Sequence, residues 1–326
     1  MKYAYKTELN PTPKQAMKIR ESIGICRFLY NEYIAYNTRL YKMYQRGLLD
    51  SKQPYFITAK DFDKYINNKV KVKEEFGWIN KCGSKPRKKA IVNAELAYKR
   101  YFAKRASLPK FKSRDNQDVS MYFPKNNIYD WIIKRHCVKV PTLGFVRLKE
   151  FGYLPVGVKV INGNVSYVGN KYFVSVTIEV PEVDIDKKIF NLENLAIDIK
   201  INKQKNLLER KLERAKKKLQ RKISKTKAHS RNQEKQKLQI QILNQRLDFY
   251  RTDRFNKIIH QIVSKNPKNI ILPDLNNLVD SKDKNLLHKA YEFRNRLLLK
   301  CNLEKINLLT DKNITCFDES ITVVID

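Results

Sequence analysis

Acidic residues are what this sequence is short of. Asp and Glu number 33 against 67 Lys and Arg, which leaves a formal charge of +34. Such a chain repels itself unless a polyanion neutralises it, and nucleic acid is the usual polyanion. A ribosome-type or membrane-surface basic protein is the alternative. Also missing is any apolar run near the ~20 residues that a membrane helix needs, so no membrane partner is expected. No secretory leader is visible at Met1–Lys6, so a cytoplasmic location is expected. Cysteine is sparse: Cys26, Cys82, Cys137, Cys301 and Cys316 form no CxxC pair and no even set. They read as reduced thiols. A structural zinc takes about four ligands, and His136, His229, His260 and His288 do not cluster with the cysteines. No metal site is expected. No internal repeat or low-complexity segment stands out.

What is present bounds the fold. The chain is 42% hydrophobic, enough to bury real cores, which excludes a disordered chain despite its charge. Its 326 residues suit about two or three domains. KYAYKTEL alternates like a strand, and NPTPKQ ends it, with Thr12 placed to cap the next helix. From Lys14 to about Arg105 the texture is helical, with Phe28, Tyr33, Tyr36, Tyr41 and Tyr44 at helical spacing. KCGSKPRKKA interrupts it and opens a second helix through Ala90, Ala94, Ala97, Tyr101 and Phe102. Lys85, Arg87, Lys88 and Lys89 crowd that helix N-terminus, where the macrodipole disfavours cations. Phosphates coming to meet them would account for the placement; a solvated basic face is the other reading.

SLPKFKSRDNQDVSMYF leads into a β-rich region over roughly 119–182, cut by turn signals at PTLG, Val160–Asn164 and Gly169–Asn170. A compact barrel or small sandwich that recruits the N-terminal strand fits, with the helical block inserted. Lys110, Lys112 and Arg114 beside Phe111, Tyr122 and Phe123 have the composition of a nucleic-acid surface, although barrel aromatics are more often core. PEVDIDKK reads as a linker. A strand at Leu195–Ile199 follows, then a basic helix with an apolar stripe of Leu208, Leu212, Ala215, Leu219 and Ile223. KTKAHS breaks it, and a second helix runs to about Ser264 with Leu243, Leu247, Tyr250, Ile258 and Ile262 on one face. NIIL, a helix over Leu286–Leu303, the strand KINLLT and a short tail complete an α/β pattern.

Carboxylates decide whether this unit can cut. A two-metal nuclease holds its cations roughly 3.5–4 Å apart on acids from neighbouring strand ends. Asp198, on LAIDI, suits a first acid. At the end of NIIL the sequence offers Pro273, with Asp274 one step along and therefore on the other face. A lone Asp198 also suits a helix cap or the partner of a lysine.

NPTPKQ, GICRFLYN, LPKFKSR, LAIDIKIN, NQRLDF and ILPDLN, in that order, resemble the motif series of the TnpB proteins. These are transposon-encoded RNA-guided DNA nucleases related to type V CRISPR effectors. The resemblance implies an α+β multidomain fold. A β-barrel, wedge-like domain would take 1–12 and 106–183, and a helical recognition bundle would take 13–105. A degenerate, truncated RNase H-like (RuvC) α/β domain would take 184–326, without a zinc ribbon. The departures are as informative. Pro273 stands where the family has a catalytic glutamate, and Ile199-Lys200 replace the usual glycine. No hairpin fits between Asp198 and about Asn206. Of a four-cysteine ribbon only Cys316 remains, and Asp311, Asp318 and Asp326 lack the third acid's context. The losses fall on the cleavage machinery, as in the nuclease-dead TnpB-like repressors.

The function this implies is guide-RNA-directed, cleavage-incompetent binding of double-stranded DNA beside a short motif, in a bacterial, nucleoid-associated setting. The expected form is a monomeric ribonucleoprotein, with guide RNA bound and no cofactor required. Lys85, Arg87, Lys88, Lys89, Asn93, Lys110, Lys112, Ser120 and Met121 are the candidates for the DNA motif. Arg27, Tyr30, Asn31, Lys211, Arg214, Lys218, Arg221 and Lys222 are those for RNA or heteroduplex. Asp198 and Pro273 are the vestiges of a catalytic pair. A residual metal-dependent nuclease or guide-RNA-processing enzyme is the alternative, and a plain RNA-binding remnant a third reading.

Overall fold

The computed structural model describes residues 2–49, 55–70, 73–113, 120–124, 127, 129–179, 189–201, 206–228, 230–275, 284–310 and 318–325. The chain divides into two compact units, Met1–Glu182 and Val183–Asp326. Arg114, His229, Asp311, Cys316 and Asp326 lie outside the described residues.

In the first unit the N-terminal strand β1 (Lys2–Asn10) is a central strand, antiparallel to both its neighbours. The other strands are β2 (Met121–Phe123), β3 (Ile132–Ile133), β4 (Cys137–Val140), β5 (Gly144–Leu148), β6 (Val160–Val168) and β7 (Lys171–Glu179). They form one seven-stranded sheet in the order β2-β6-β7-β1-β5-β4-β3. Among the described residues this ladder has two ends, so hydrogen bonds do not close the expected barrel. The two end strands, β2 and β3, are short, with 3 and 2 residues. Gly169 and Asn170, both at positive φ, make the tight β6–β7 turn, as a two-residue hairpin between right-twisted strands requires. Gly163 leaves room for Trp131, whose ring a Cβ there would meet at 2.2 Å.

The helix α1 (Pro13–Gln45) starts on a capping box between Thr12 and Gln15, with Pro13 in its first turn, the sequence signature of a helix start. The Gln15 side-chain amide also donates to the Phe145 carbonyl at 2.8 Å, which ties the helix start to β5. Ile19 enters the sheet core, whereas Ile25, Leu29, Tyr33 and Ile34 belong to a separate helical core. That second core is completed by α2 (Ala59–Tyr65), a short turn of wide helix, a 3₁₀ segment at Glu74–Lys81, and α3 (Ser84–Phe102).

In the second unit β8 (Leu192–Ile201), β9 (Pro267–Leu272), β10 (Asn307–Thr310) and β11 (Glu319–Ile325) pair in the order β10-β9-β8-β11. Every pairing is parallel. The strand β11 corrects the tail expected there: Glu319–Ile325 lies beside Leu195–Ile201 along its whole length. The Asp318 carboxylate anchors it by accepting from the Glu193 and Asn194 amides at 2.7 and 2.8 Å. Helices α4 (Leu207–Ser224) and α5 (Arg231–Ser264) connect β8 to β9, and α6 (Lys284–Glu304) connects β9 to β10. Phe255, Ile259, Ile262 and Val263 of α5 pack with Phe293 and Leu297 of α6 on the sheet. Among the described residues no helix is long and apolar enough to cross a membrane.

Candidate nucleic-acid interface

Three places gather the cations that the sequence singles out. The first is the start of α3, where the structure ties several of them down. The Lys85 ammonium meets Asp130 at 2.7 Å. That hydrogen bond, with the Asn127 amide, holds the Asp130 carboxyl below its ordinary range. Lys88 pairs with Asp63 at 3.6 Å, and the Lys89 ammonium lies over the Tyr122 ring, 5.5 Å from its centroid. The Arg87 guanidinium is half-buried, and its Nε has no hydrogen-bond partner. Asn93 is exposed and Ser120 half-buried. Met121 is 0% exposed inside the sheet core, so it cannot touch a duplex: strand alternation turns it inward. It is removed from the motif-reading set.

The second place joins two groups of candidates that the sequence keeps apart. Asn31 accepts from the Lys112 amide at 2.8 Å and donates to the Lys112 carbonyl at 2.9 Å. The Lys112 ammonium lies 5.0 Å from the centre of the Tyr30 ring, a cation–π distance. Tyr30 is buried, and burial, then Tyr98, pushes its phenol up. Asn31 and Tyr30 therefore seat the FKS segment on α1. Arg27, one turn back, is half-buried and already engaged. Phe111 and Lys110 remain exposed.

The third place is α4. Lys211, Arg214, Lys218, Arg221 and Lys222 are all exposed. Arg214, Lys217, Lys218, Arg221, Lys222 and Lys225 line one continuous groove. Steps of three and four residues put them on one helix face. Lys217 and Lys225 were not among the sequence candidates, although the same spacing extends through them. The expected apolar stripe is only partly real: Leu208 and Ala215 are exposed, and the buried residue is Glu209, at 2%. Arg251 of α5 bonds the Glu209 carboxylate through its Nε at 2.8 Å and through a terminal nitrogen, and reaches Glu213 at 3.3 Å. An acid pair turned toward α5 thus leaves the opposite face of α4 to cations.

Asp198 and Pro273, the pair expected as catalytic vestiges, lie on β8 and at the exit of its neighbour β9. Ala196 of β8 pairs with Ile271 of β9. Two residues further along each chain stand Asp198, inside β8, and Pro273, one residue past the end of β9. The paired register between the two strands stops at Ala196–Ile271, and Asp198 itself pairs with Thr322 of β11. Asp198 is 53% exposed at its side chain, and its carboxylate pairs with Lys200 at 3.6 Å. Asp274 lies just past the strand end, half-buried and already engaged. Among the described residues no group of three His, Cys, Asp or Glu could hold a metal.

Two basic helix faces make a surface suited to polyanions. A helix-turn-helix domain family, OrfB_IS605, matches residues 1–46. In this chain those residues form a strand and one unbroken helix. The chain is 28% identical over 282 residues to the "Putative RNA-guided DNA endonuclease InsQ" of Escherichia coli (strain K12), matching 83% of this chain and 66% of that protein. It is 25% identical over 285 residues to the "Putative RNA-guided DNA endonuclease" of Streptomyces pristinaespiralis, matching 84% and 67%. The chain thus spans about two thirds of the length of these curated relatives. Two solved structures share partial similarity at 12% identity. One is a cryo-EM structure of the Cas12f1-sgRNA-target DNA complex, with a TM-score of 0.43 over 91% of this chain and 72% of that one. The other is of a CRISPR-Cas12f ternary complex, at 0.34 over 92% and 72%.

Proposed function

We propose that this chain is an RNA-guided protein that occupies double-stranded DNA without cutting it, and so represses the gene whose promoter it covers. The observation that supports this most is the exit of β9, next to the strand that carries Asp198: it presents Pro273 where a second acid is needed. A metal pair needs acids on neighbouring strand ends, and proline offers no ligand there. Asp198 keeps its charge balanced by Lys200 instead. The relatives named as RNA-guided DNA endonucleases supply the other half of the reading, since guidance is compatible with loss of the cut.

In this reading the guide reads sequence by base pairing. The protein reads a short duplex motif and holds the heteroduplex by its backbone. The α3 start and Lys110 face the motif, and the α4 stripe neutralises phosphates. The working form is a monomeric ribonucleoprotein on bacterial nucleoid DNA, with no cofactor beyond the guide. The test is to sequence the RNA that copurifies with the protein and to footprint the DNA it matches. The expected result is one RNA whose variable end matches a promoter, protecting that duplex and leaving it intact in magnesium and manganese. Cleavage of the matched duplex, or a random mixture of cellular RNA, overturns it.

A further inference from the structure

The C-terminal ends of α1 and α3 carry aromatic rings that the folded core does not absorb. The two helices run in the same direction where they meet: Cys26 Sγ, midway along α1, lies 3.9 Å from Cys82 Sγ just before α3, and Thr38 bonds the Tyr98 hydroxyl at 3.0 Å further on. Their ends therefore fall together. There the rings of Tyr44 and Tyr55 lie 5.1 Å apart, 56% and 51% exposed. Phe56, the next residue, meets Phe102 at 5.7 Å, and Phe102 is itself 57% exposed beside Tyr101. A run of ring faces thus crosses from one helix end to the other.

Along the two helix ends the charge has one sign, although Asp61 follows Tyr55 by six residues on α2. No Asp or Glu occurs between Glu32 and Asp50, nor between Glu95 and Asp115. Lys42, Arg46, Arg100 and Lys104 are exposed. The helix C-termini carry partial negative charge, so attraction of an anion must come from these side chains. A second copy of the chain would bring the same cations face to face, which disfavours self-association. A ligand with flat apolar faces and a negative backbone satisfies both features at once.

We infer that this surface is a stacking platform for unpaired bases, which binds single-stranded nucleic acid through Tyr44, Tyr55 and Phe102. Stacking on such rings is tolerant of sequence, because every base has a π-face. The inference rests on the reading of the chain as a nucleic-acid binder and adds a strand-selective site to it. The test uses the full chain without guide, a labelled oligodeoxythymidylate, and a mixed-sequence duplex of equal length. Replacing Tyr44→Leu with Tyr55→Leu keeps apolar bulk and removes both ring faces. That variant should bind the oligothymidylate roughly ten- to a hundredfold more weakly, with the same salt slope and an unchanged duplex affinity. Tyr44→Phe with Tyr55→Phe should bind as the parent does. Equal strand affinity for the Leu variant overturns the inference, as does an equal loss for strand and duplex. A change in sedimentation with strand affinity intact assigns the patch to a protein partner and overturns it too. Failure of the unaltered protein to bind either probe overturns the broader nucleic-acid reading as well.

Discussion

The Asn31 carboxamide makes both of its hydrogen bonds to the backbone of Lys112, accepting at 2.8 Å and donating at 2.9 Å, across 81 residues of chain. In the segment after α3, Leu108, Lys110 and Phe111 are exposed, and the Lys112 ammonium adds its contact with the Tyr30 ring. Asn31→Ala should therefore loosen this segment. The expected cost is about 1–2 kcal/mol, because two backbone groups lose their partners where they are only part-buried. Limited trypsin digestion should cut after Lys110 and Lys112 sooner than in the parent. An unchanged digestion pattern would show that the segment is held elsewhere.

A second pair is confined to the other unit. Glu209 is buried on α4 and depends on Arg251 of α5. Arg251→Met should destabilise that unit by about 3 kcal/mol, because it leaves an uncompensated buried charge. Adding Glu209→Leu removes the charge and should recover most of the loss. Guanidinium denaturation of the single and double variants measures the coupling, and simple additivity would refute it.

Period-two and helical patterns made much of the fold legible. KYAYKTEL is β1, and Thr12, Pro13 and Gln15 form the cap that their spacing implies. The cations of α4 were legible because one helix face can be counted from the chain alone. Glu209 was not: an acid inside an apolar stripe looks like a surface residue until its arginine, 42 positions away, is known. The strand β11 was missed because its ladder lies with β8, and such non-local pairing leaves no mark in a short run. Met121 was misassigned for a related reason, and the Asn31–Lys112 contact was not legible either. Burial and an 81-residue contact depend on where other segments go.

Acid should weaken the sheet of the first unit through Glu8. This carboxylate on β1 receives Lys149 at 3.0 Å and Lys171 at 2.9 Å. Burial opposes its ionisation, but the two lysine hydrogen bonds outweigh burial and lower its pKa. A carboxyl with a lowered folded pKa stabilises fully above its unfolded value, about 4.3. That contribution fades as pH falls through the lower folded value. The parent should thus lose stability steadily below about pH 4.3, and Glu8→Gln should show a smaller acid-dependent loss. Thermal melts from pH 6 to pH 3, on the order of one unit apart, distinguish the two slopes.

The α4 stripe should be visible in salt dependence. Each neutralised duplex phosphate contributes roughly −0.9 to the slope of log K against log salt. Lys218→Gln with Arg221→Gln should weaken nucleic-acid binding and flatten that slope by up to about 2, one unit per lost contact. Anisotropy titrations over a range of potassium chloride read both effects. Weaker binding at unchanged slope would mean that these two cations do not meet phosphates.

Pro273 allows the sharpest test of the proposed loss of cleavage. Pro273→Glu would place a second carboxylate at the exit of β9, two residues beyond the Ala196–Ile271 pair. Its charge would compete with Asp198 for Lys200, now 3.6 Å from that acid. Among the described residues no third ligand stands ready, and a two-metal site holds both attacking and leaving oxygens. The variant should therefore leave a guided duplex uncut in magnesium and manganese. Its backbone should tolerate the change, since the residue lies past the last bonded position of β9. Cleavage restored by this one substitution would mean that a further acid does reach the site, and that the loss of activity rests on Pro273 alone.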